Sequence, residues 1–134
     1  MSPSTQVPRD LRYTKNDEWV RWNPPVAVVG ITDFAQSELT DVVFVELPAE
    51  GGSVKAGERL LVLESVKTVA DVYAPVSGRI SKVNQELKGH PELLNKDPYG
   101  QGWLVEIQAE NPPSDLLSPE EYLRKISSPS EGHH

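Results

Sequence analysis

Apolar and β-branched residues occur in this chain as short runs, and turn-forming residues such as proline and glycine separate one run from the next. Short runs of this kind are typical of β-strands, whereas a helix needs a longer segment with helical spacing. The pattern predicts strands at residues 18–22, 26–31, 42–47, 59–65, 68–73, 78–83 and 102–108. In the last of these, Trp103, Val105 and Ile107 are expected on one face. Many short strands joined by regular turns indicate an all-β sandwich or barrel.

One internal segment, TDFAQSEL at residues 32–39, has the spacing of a helix instead of a strand. Asp33 and Gln36 stand at the spacing of a capping box, in which the first side chain accepts a backbone amide and the second reaches back. Ala35 and Leu39 then lie on one side, because residues four apart share a helix face. The sequence therefore predicts a short internal helix with Asp33 as its N-cap.

A second helix is predicted near the end of the chain, in LSPEEYLRKI at residues 117–126. Ser118 is a favourable N-cap, Pro119 suits the first helical position, and Glu121 completes a capping box. Apolar residues continue along one face of this segment. We expect this C-terminal helix to pack on the β core.

Composition narrows the range of functions. The chain has 134 residues, a net charge of −7 and no cysteine. No basic stripe is present to neutralise phosphates, so nucleic-acid binding is not expected. The absence of cysteine excludes disulfides and thiolate metal sites, and no apolar run reaches the length of a membrane span.

Both ends are polar, which predicts one domain at 11–126 between a flexible lead at 1–10 and a flexible tail at 127–134.

Residues suited to catalysis are few. His90 is the single histidine outside the terminal pair, so the parts of a hydrolytic triad or a zinc site are missing. The glycines form no phosphate-binding motif, and the carboxylate pair Glu120-Glu121 is explained by the dipole at a helix start. We therefore expect no metal, no catalytic residue and no enzymatic activity of the chain alone.

The most unusual turn lies at Val66-Lys67, between two predicted strands. Two-residue hairpin turns favour glycine, asparagine or aspartate, because the best-twisted turns need positive φ. A valine and a lysine at this place leave an amine projecting from the body, where a modifying enzyme can approach it. Acylation would remove the charge and add a flexible arm. An ordinary solvated lysine fits the same residues, so both interpretations stay open at this point.

The segment ESVKTVADVYAPVSG at residues 64–78 resembles the lipoylation site of glycine cleavage system H proteins. Further segments resemble the same family in the same order, at residues 13–19, 29–39, 41–48, 53–58, 83–87 and 91–103. The likeness covers residues 11–126. It implies a lipoyl-like barrel-sandwich hybrid of two antiparallel sheets, with a short internal helix and a C-terminal helix.

The resemblance also implies a covalent cofactor, lipoic acid joined by an amide bond to Lys67. Glu64 and Gly78 match positions that the family uses to present the lysine to its lipoylating enzyme. Glu18 and Asp71 match carboxylates that hold the amine of the loaded arm in a cleft, and Asn16 occupies a neighbouring polar position. Two carboxylates facing a cationic amine make electrostatic sense. Simple solvation of a strand face explains Glu18 and Asp71 equally well.

The implied function is that of a non-catalytic, monomeric carrier. Its partners would be a pyridoxal-phosphate glycine decarboxylase (P protein), a folate-dependent aminomethyltransferase (T protein), a flavin dihydrolipoyl dehydrogenase (L protein) and a lipoylating enzyme. The expected location is the bacterial cytoplasm, or the mitochondrial matrix if the source is a eukaryote.

The sequence differs from the usual family pattern at positions that bear on which partner enzymes the chain serves. Asp17 stands where histidine is common, Thr40 replaces a usual glycine, and Ala70 replaces a usual serine. An H-like lipoyl carrier serving another complex, such as one of sulfur oxidation, therefore remains an alternative, as does an unmodified β-barrel interaction protein. A biotin carrier is disfavoured because Val66 and Thr68 flank the lysine where that family has methionines.

Overall fold

The computed structural model of the chain describes residues 5–127. Its strands form two antiparallel sheets, as the family resemblance implied. The strands of the larger sheet are β1 (Arg12–Tyr13), β2 (Glu18–Asn23), β3 (Val26–Ile31), β5 (Ser53–Val54), β8 (Gly78–Val83) and β9 (Val105–Ala109). Those of the smaller sheet are β4 (Val42–Glu46), β6 (Arg59–Ser65) and β7 (Val69–Tyr73). The six-stranded sheet has the order β1-β2-β3-β9-β8-β5, and the three-stranded sheet has the order β4-β6-β7.

Three α-helices accompany the sheets in the described part of the chain: α1 (Asp33–Leu39), α2 (Leu93–Lys96) and α3 (Pro119–Ser127). A short 3₁₀ helix at Gln85–Lys88 precedes α2. The predicted capping box of α3 is confirmed. The amide of Glu121 donates to Ser118 Oγ at 3.1 Å, and the Ser118 amide donates to the Glu121 carboxylate at 2.8 Å.

The predicted N-cap of α1 is wrong by one residue. Thr32 is the N-cap, because its hydroxyl oxygen accepts the Ala35 amide at 3.1 Å and its backbone is extended. Asp33 instead begins the helix, and its carboxylate accepts a bond from the Gln36 side chain at 2.8 Å. Both threonine and aspartate cap helices well, so spacing alone did not separate the two neighbours.

The last strand is shorter than predicted. It begins at Val105, and Trp103 lies in the loop before it. Val105 and Ile107 are buried in the main core, whereas Trp103 packs on a different cluster. The turn residues from Pro98 onwards direct the chain into this strand: the amides of Gly100 and Gly102 both donate to the Asp97 carbonyl.

The larger sheet buries apolar side chains on both faces. Adjacent residues of a strand point to opposite sides, and Trp19 and Val20 of β2 accordingly belong to different clusters. Val20 joins the main core, which combines residues of both sheets. Trp19 joins Leu11, Tyr13 and Tyr122 in a second cluster, where the rings of Tyr13 and Tyr122 stack at 4.7 Å. The C-terminal helix therefore packs on the sheet through Tyr122, as expected.

Residues 5–10, predicted as part of a flexible lead, make specific contacts in the structure. The Gln6 amide donates to the Asp33 carboxylate at 2.8 Å, and its carbonyl accepts the Tyr99 hydroxyl at 2.7 Å. Arg9 pairs with Glu120 at 2.6 Å. The contacts hold this segment beside the first turns of α1 and α3. The predicted tail began one residue too early, because Ser127 is the last residue of α3. Residues 1–4 and 128–134 lie outside the described residues.

Candidate functional site

The turn that carries Lys67 is built without positive φ. Among the described non-glycine residues, positive φ occurs at Asp17, Thr40 and Asp115, and not at the tip. Ser65 stabilises the turn in place of a residue with positive φ, because its Oγ accepts the amides of Lys67 at 3.2 Å and Thr68 at 3.1 Å. A side-chain oxygen that bonds amides two and three residues on is a local turn motif of serine. Sequence reasoning missed Ser65, although this motif was the available signal.

Two backbone bonds brace the tip from behind. The Ser65 amide donates to the Thr68 carbonyl at 2.8 Å, which closes the end of the β6–β7 hairpin. The Val66 amide donates to the Asp41 carbonyl at 3.0 Å, which ties the tip to the residue before β4. Lys67 itself is exposed. The lysine therefore projects from a turn whose backbone is held on both sides.

Glu64 and Gly78 occupy different surroundings. Glu64 is exposed on β6 and is paired across the sheet with Phe44 and Val69. Gly78 is buried in the larger sheet, where β8 approaches β9 closely. A Cβ atom at Gly78 would collide with the Gln108 carbonyl oxygen, so no side chain fits. Strand packing thus gives this position a reason to be glycine that does not involve the lysine.

A cleft of about 180 Å³ lies between the larger sheet, α1 and β7. The residues predicted to handle cargo, Asn16, Glu18 and Asp71, all line it. Its remaining lining residues are apolar or acidic: Ile31, Ala35, Leu39, Leu63, Ala70 and Val72, with Asp17 and Glu38. Among residues 5–127, no lysine or arginine lines this cleft. An apolar surface with carboxylates at its edge suits a ligand that has an apolar stem and a cationic head.

Glu18 is the most unusual carboxyl group of the cleft. Its residue is only 2% exposed. One carboxyl oxygen accepts the Thr14 hydroxyl at 2.6 Å, and the other accepts the Tyr73 amide of β7 at 2.8 Å. Burial raises the pKa of Glu18 to about 7, although these two hydrogen bonds lower it in part. The group therefore joins the two sheets and exchanges a proton near neutral pH.

Asp71 differs from Glu18 in being exposed. Its carboxylate accepts the Tyr73 hydroxyl at 3.4 Å and lies 3.8 Å from the Arg59 guanidinium. Ion pairs on the surface contribute little to stability. Asp71 is therefore free to turn toward a cation in the cleft at small cost.

Two further acidic residues of the cleft were not proposed as site residues from the sequence. Glu38 lies near the end of α1, and Asp17 precedes β2 with a φ of 69°. Asp17 is held by the C-terminal helix, since the Tyr122 hydroxyl donates to it at 2.9 Å and Lys125 lies 3.6 Å from it. Asp17 departs from the family pattern in the sequence, and its place in the cleft depends on these contacts with distant residues.

The described residues contain no cluster of histidine and carboxylate side chains suited to a metal ion. Within residues 5–127, no helix is long and apolar enough to cross a membrane.

Comparisons with known proteins agree with the resemblance in the sequence. The family model described as "Glycine cleavage H-protein" matches residues 11–128. A glycine cleavage system H protein of Rubrobacter xylanophilus is 54% identical over 90% of this chain and 95% of its own length. A probable glycine cleavage system H protein of Aeropyrum pernix is 53% identical over 88% of this chain and 84% of its own.

A solved structure has the same architecture. The crystal structure of a glycine cleavage system H protein from Mycobacterium marinum matches with a TM-score of 0.85 and 39% identity. The match covers 91% of this chain and all of the other. This agreement confirms the expected lipoyl-like arrangement of two antiparallel sheets with a few helices. The chain belongs to the glycine cleavage H-protein family.

Proposed function

We propose that this chain is the lipoyl carrier of the glycine cleavage system, with lipoic acid joined to Lys67. The observation that carries the proposal is the pairing of two features in a member of this family. An exposed lysine stands on a braced hairpin tip, and the hairpin that presents it also forms one wall of an acidic, partly apolar cleft.

Lys67 and the apolar residues of the cleft fit a covalently bound lipoyl group. The amine of Lys67 is exposed and can be reached by a modifying enzyme. Leu63, Ala70 and Ala35 offer an apolar surface in the cleft to a hydrocarbon arm. When bound, a lipoyl group supplies a disulfide that accepts a reactive fragment and is afterwards reoxidised.

The side chains of the cleft hold and shield the head of a loaded arm. Asp71 and Glu18 both line the cleft, so a cationic amine bound there has two carboxylates to pair with. Because the pKa of Glu18 lies near 7, a cation stabilises its ionised form and displaces a proton to solvent. Asn16 adds a polar group at the same edge. The surrounding apolar residues limit the access of water.

In this proposal the chain has no catalytic residue and works as a monomer. The hairpin presents the arm in turn to the glycine decarboxylase, the aminomethyltransferase and the dihydrolipoyl dehydrogenase. Tethering raises the local concentration of the carried group at each enzyme, provided that the arm reaches the active site. Glu64 and Gly78 serve presentation of Lys67 to the lipoylating enzyme. The bacterial cytoplasm, or the matrix of a mitochondrion, holds all these partners together.

Intact mass after coexpression with a lipoylating enzyme tests the attachment. The wild type is expected to gain the mass of one lipoyl group, and Lys67→Arg is expected to gain none. Lys55→Arg is the matched control, since Lys55 also follows a valine at an exposed position. Modification that persists in Lys67→Arg would refute the assignment of the site.

Reconstitution tests the role in glycine cleavage. The lipoylated chain, mixed with P, T and L proteins, is expected to release carbon dioxide from glycine and to support reduction of NAD. A fully lipoylated chain that fails with active partner enzymes would favour a carrier for another complex.

A further inference from the structure

The surface beside Lys67 carries an unusual amount of exposed apolar area. Val43, Phe44, Val66 and Val69, named here the tip face, are between 51% and 67% exposed. Among the described large apolar residues, Leu123 on α3 is the other one with high exposure. Single exposed apolar residues are common on soluble proteins, but a group of neighbours marks an interaction surface.

The tip face results from an irregularity in β4. In a regular strand, neighbours alternate between the two faces, so Val43 and Phe44 would not both be exposed. The pairing of β4 with β6 shifts register between Val42 and Phe44, which is the signature of a β-bulge. The bulge turns Val43 outward while Val42 and Val45 remain buried. The fold thus enlarges the apolar surface at this place.

Cross-strand pairing then aligns the tip face with the lysine. Phe44, Glu64 and Val69 lie opposite one another on three adjacent strands and are all exposed. Val66 stands at the tip itself, next to Lys67. The row therefore begins where the lysine projects, and it extends over the outer side of the smaller sheet.

We propose that the tip face is the docking surface of the enzyme that acylates Lys67. The inference rests on the proposed function. The unmodified amine is carried on a short four-carbon stem, so an enzyme that acylates it must bring its catalytic groups close to the tip. Contact with the strands on both sides follows from that distance. Enzymes that act on the far end of a long arm need no such close approach.

The row also defines the chemistry of the partner. Glu64 lies between two apolar side chains, and docking would remove its carboxylate from water. A carboxylate buried without a partner is costly, so the docking enzyme must offer a basic side chain to it. Asp41 and Glu46 are exposed at the two ends of β4 and add two acidic groups at the edge of the tip face. The partner surface is therefore mainly apolar, with a basic side chain among the apolar groups opposite Glu64 and further basic groups at its margin.

The reaction at this surface is an acyl transfer from lipoyl adenylate. Lys67 first loses one proton from its ammonium group to become nucleophilic. Its nitrogen then attacks the acyl carbon, the new C–N bond forms, and the C–O bond to phosphate breaks. AMP leaves with that electron pair, and the second proton passes from nitrogen to a base of the enzyme. No electron is transferred to or from an outside partner.

The test compares rates of acylation by a purified lipoylating enzyme supplied with lipoyl adenylate. The double substitution Phe44→Thr with Val69→Thr removes the apolar surface and keeps residues that favour strands. We expect kcat/KM to fall by about tenfold or more, chiefly through a higher KM. Leu123→Ala is the control, because it removes an apolar side chain that is 43% exposed and lies on α3, outside the tip face, and its kcat/KM is expected to be unchanged. Thermal melting verifies that both variants fold.

Three outcomes would overturn the assignment. Equal acylation of the double variant and the wild type would refute the tip face while leaving the proposed function intact. A double variant that is acylated normally but fails in the reconstituted glycine cleavage assay would assign the face to another enzyme. Sedimentation that detects a wild-type dimer and a monomeric double variant would assign it to a second copy of the chain. Failure of the wild type to be acylated at all would instead refute the proposed function.

Discussion

The Lys67 tip and the Glu18 side of the cleft are built in opposite ways. The tip is organised within a few consecutive residues, since Ser65 accepts the amides of the two positions that follow Val66. Its side chains are exposed. Glu18 is buried, and its carboxyl group bonds the amide of Tyr73, 55 positions away in the chain. The contacts of the tip are local, apart from the bond between the Val66 amide and the Asp41 carbonyl, and the tip is open to solvent. The Glu18 side depends on contacts between distant segments and is closed to solvent.

This difference has consequences for stability and for function. Groups at the tip contact few neighbours, so they are available for modification and contribute little to the free energy of unfolding. Glu18 joins β2 to β7 and contributes to the folded structure as well as to the cleft. A substitution at the tip should therefore separate function from stability, whereas a substitution at Glu18 should change both.

The largest effect is expected from Glu18→Leu. It leaves the Thr14 hydroxyl and the Tyr73 amide without their acceptor in a buried place, and each such loss costs on the order of 1–3 kcal/mol. The free energy of unfolding, measured by urea denaturation at pH 6, should fall by about 2–4 kcal/mol. Glu64→Leu is the matched control at an exposed carboxylate and should change it by less than about 0.5 kcal/mol. Equal effects at the two positions would contradict the comparison.

Stability should also depend on pH, with a change in each pH unit that is smaller than the loss in Glu18→Leu. The pKa of Glu18 is raised from 4.5 to about 7, so between these values the native state holds a proton that the unfolded chain has released. This contribution to stability is complete below pH 4.5 and is lost as the pH rises through about 7. The wild type should lose up to about 1.4 kcal/mol per pH unit in this window, relative to Glu18→Gln. Parallel pH profiles of the two proteins would show that Glu18 does not titrate there.

Ser65→Ala should cost about 1 kcal/mol, because two amides of the turn lose their acceptor but remain near solvent. The effect should also be local. Hydrogen exchange should accelerate at Lys67 and Thr68, while the amide of Tyr73 stays protected. Faster exchange throughout β7 would mean that the tip is coupled to the cleft.

The smallest effect on stability is expected from Lys67→Ala. The side chain is exposed, so the free energy of unfolding should change by less than about 0.5 kcal/mol. Loading with a lipoyl group should nevertheless be lost completely, as measured by intact mass. A large loss of stability would mean that the lysine has a structural role.

The sequence allowed the β-rich fold and the lysine to be predicted, because both depend on local patterns. Short apolar runs indicated the strands, and the capping box of α3 was recognised from Ser118 and Glu121. Strands of only two residues, such as β1 and β5, gave no periodic signal. The alternation of apolar and polar residues extends back to Trp103 and predicted it in the last strand. In the structure Trp103 lies in the loop before that strand and packs on the second cluster.

The candidate site was predictable only in part. Family resemblance selected Asn16, Glu18 and Asp71, and all of them line one cleft. Glu38 was not selected, because only the tertiary structure brings α1 and β7 to the same cleft. The exposure of Val43 was equally unpredictable from the sequence, since it results from a bulge in β4 that turns this valine outward.

The sequence by itself determined the position of the projecting amine, because a turn between two strands places its residues at the surface wherever the strands pack. Only the tertiary structure decided the state of Glu18. Packing of β7 against β2 buries this carboxyl group, removes it from water and raises its pKa to about 7. Such desolvation is a property of surroundings contributed by distant segments, and no local pattern of residues records it.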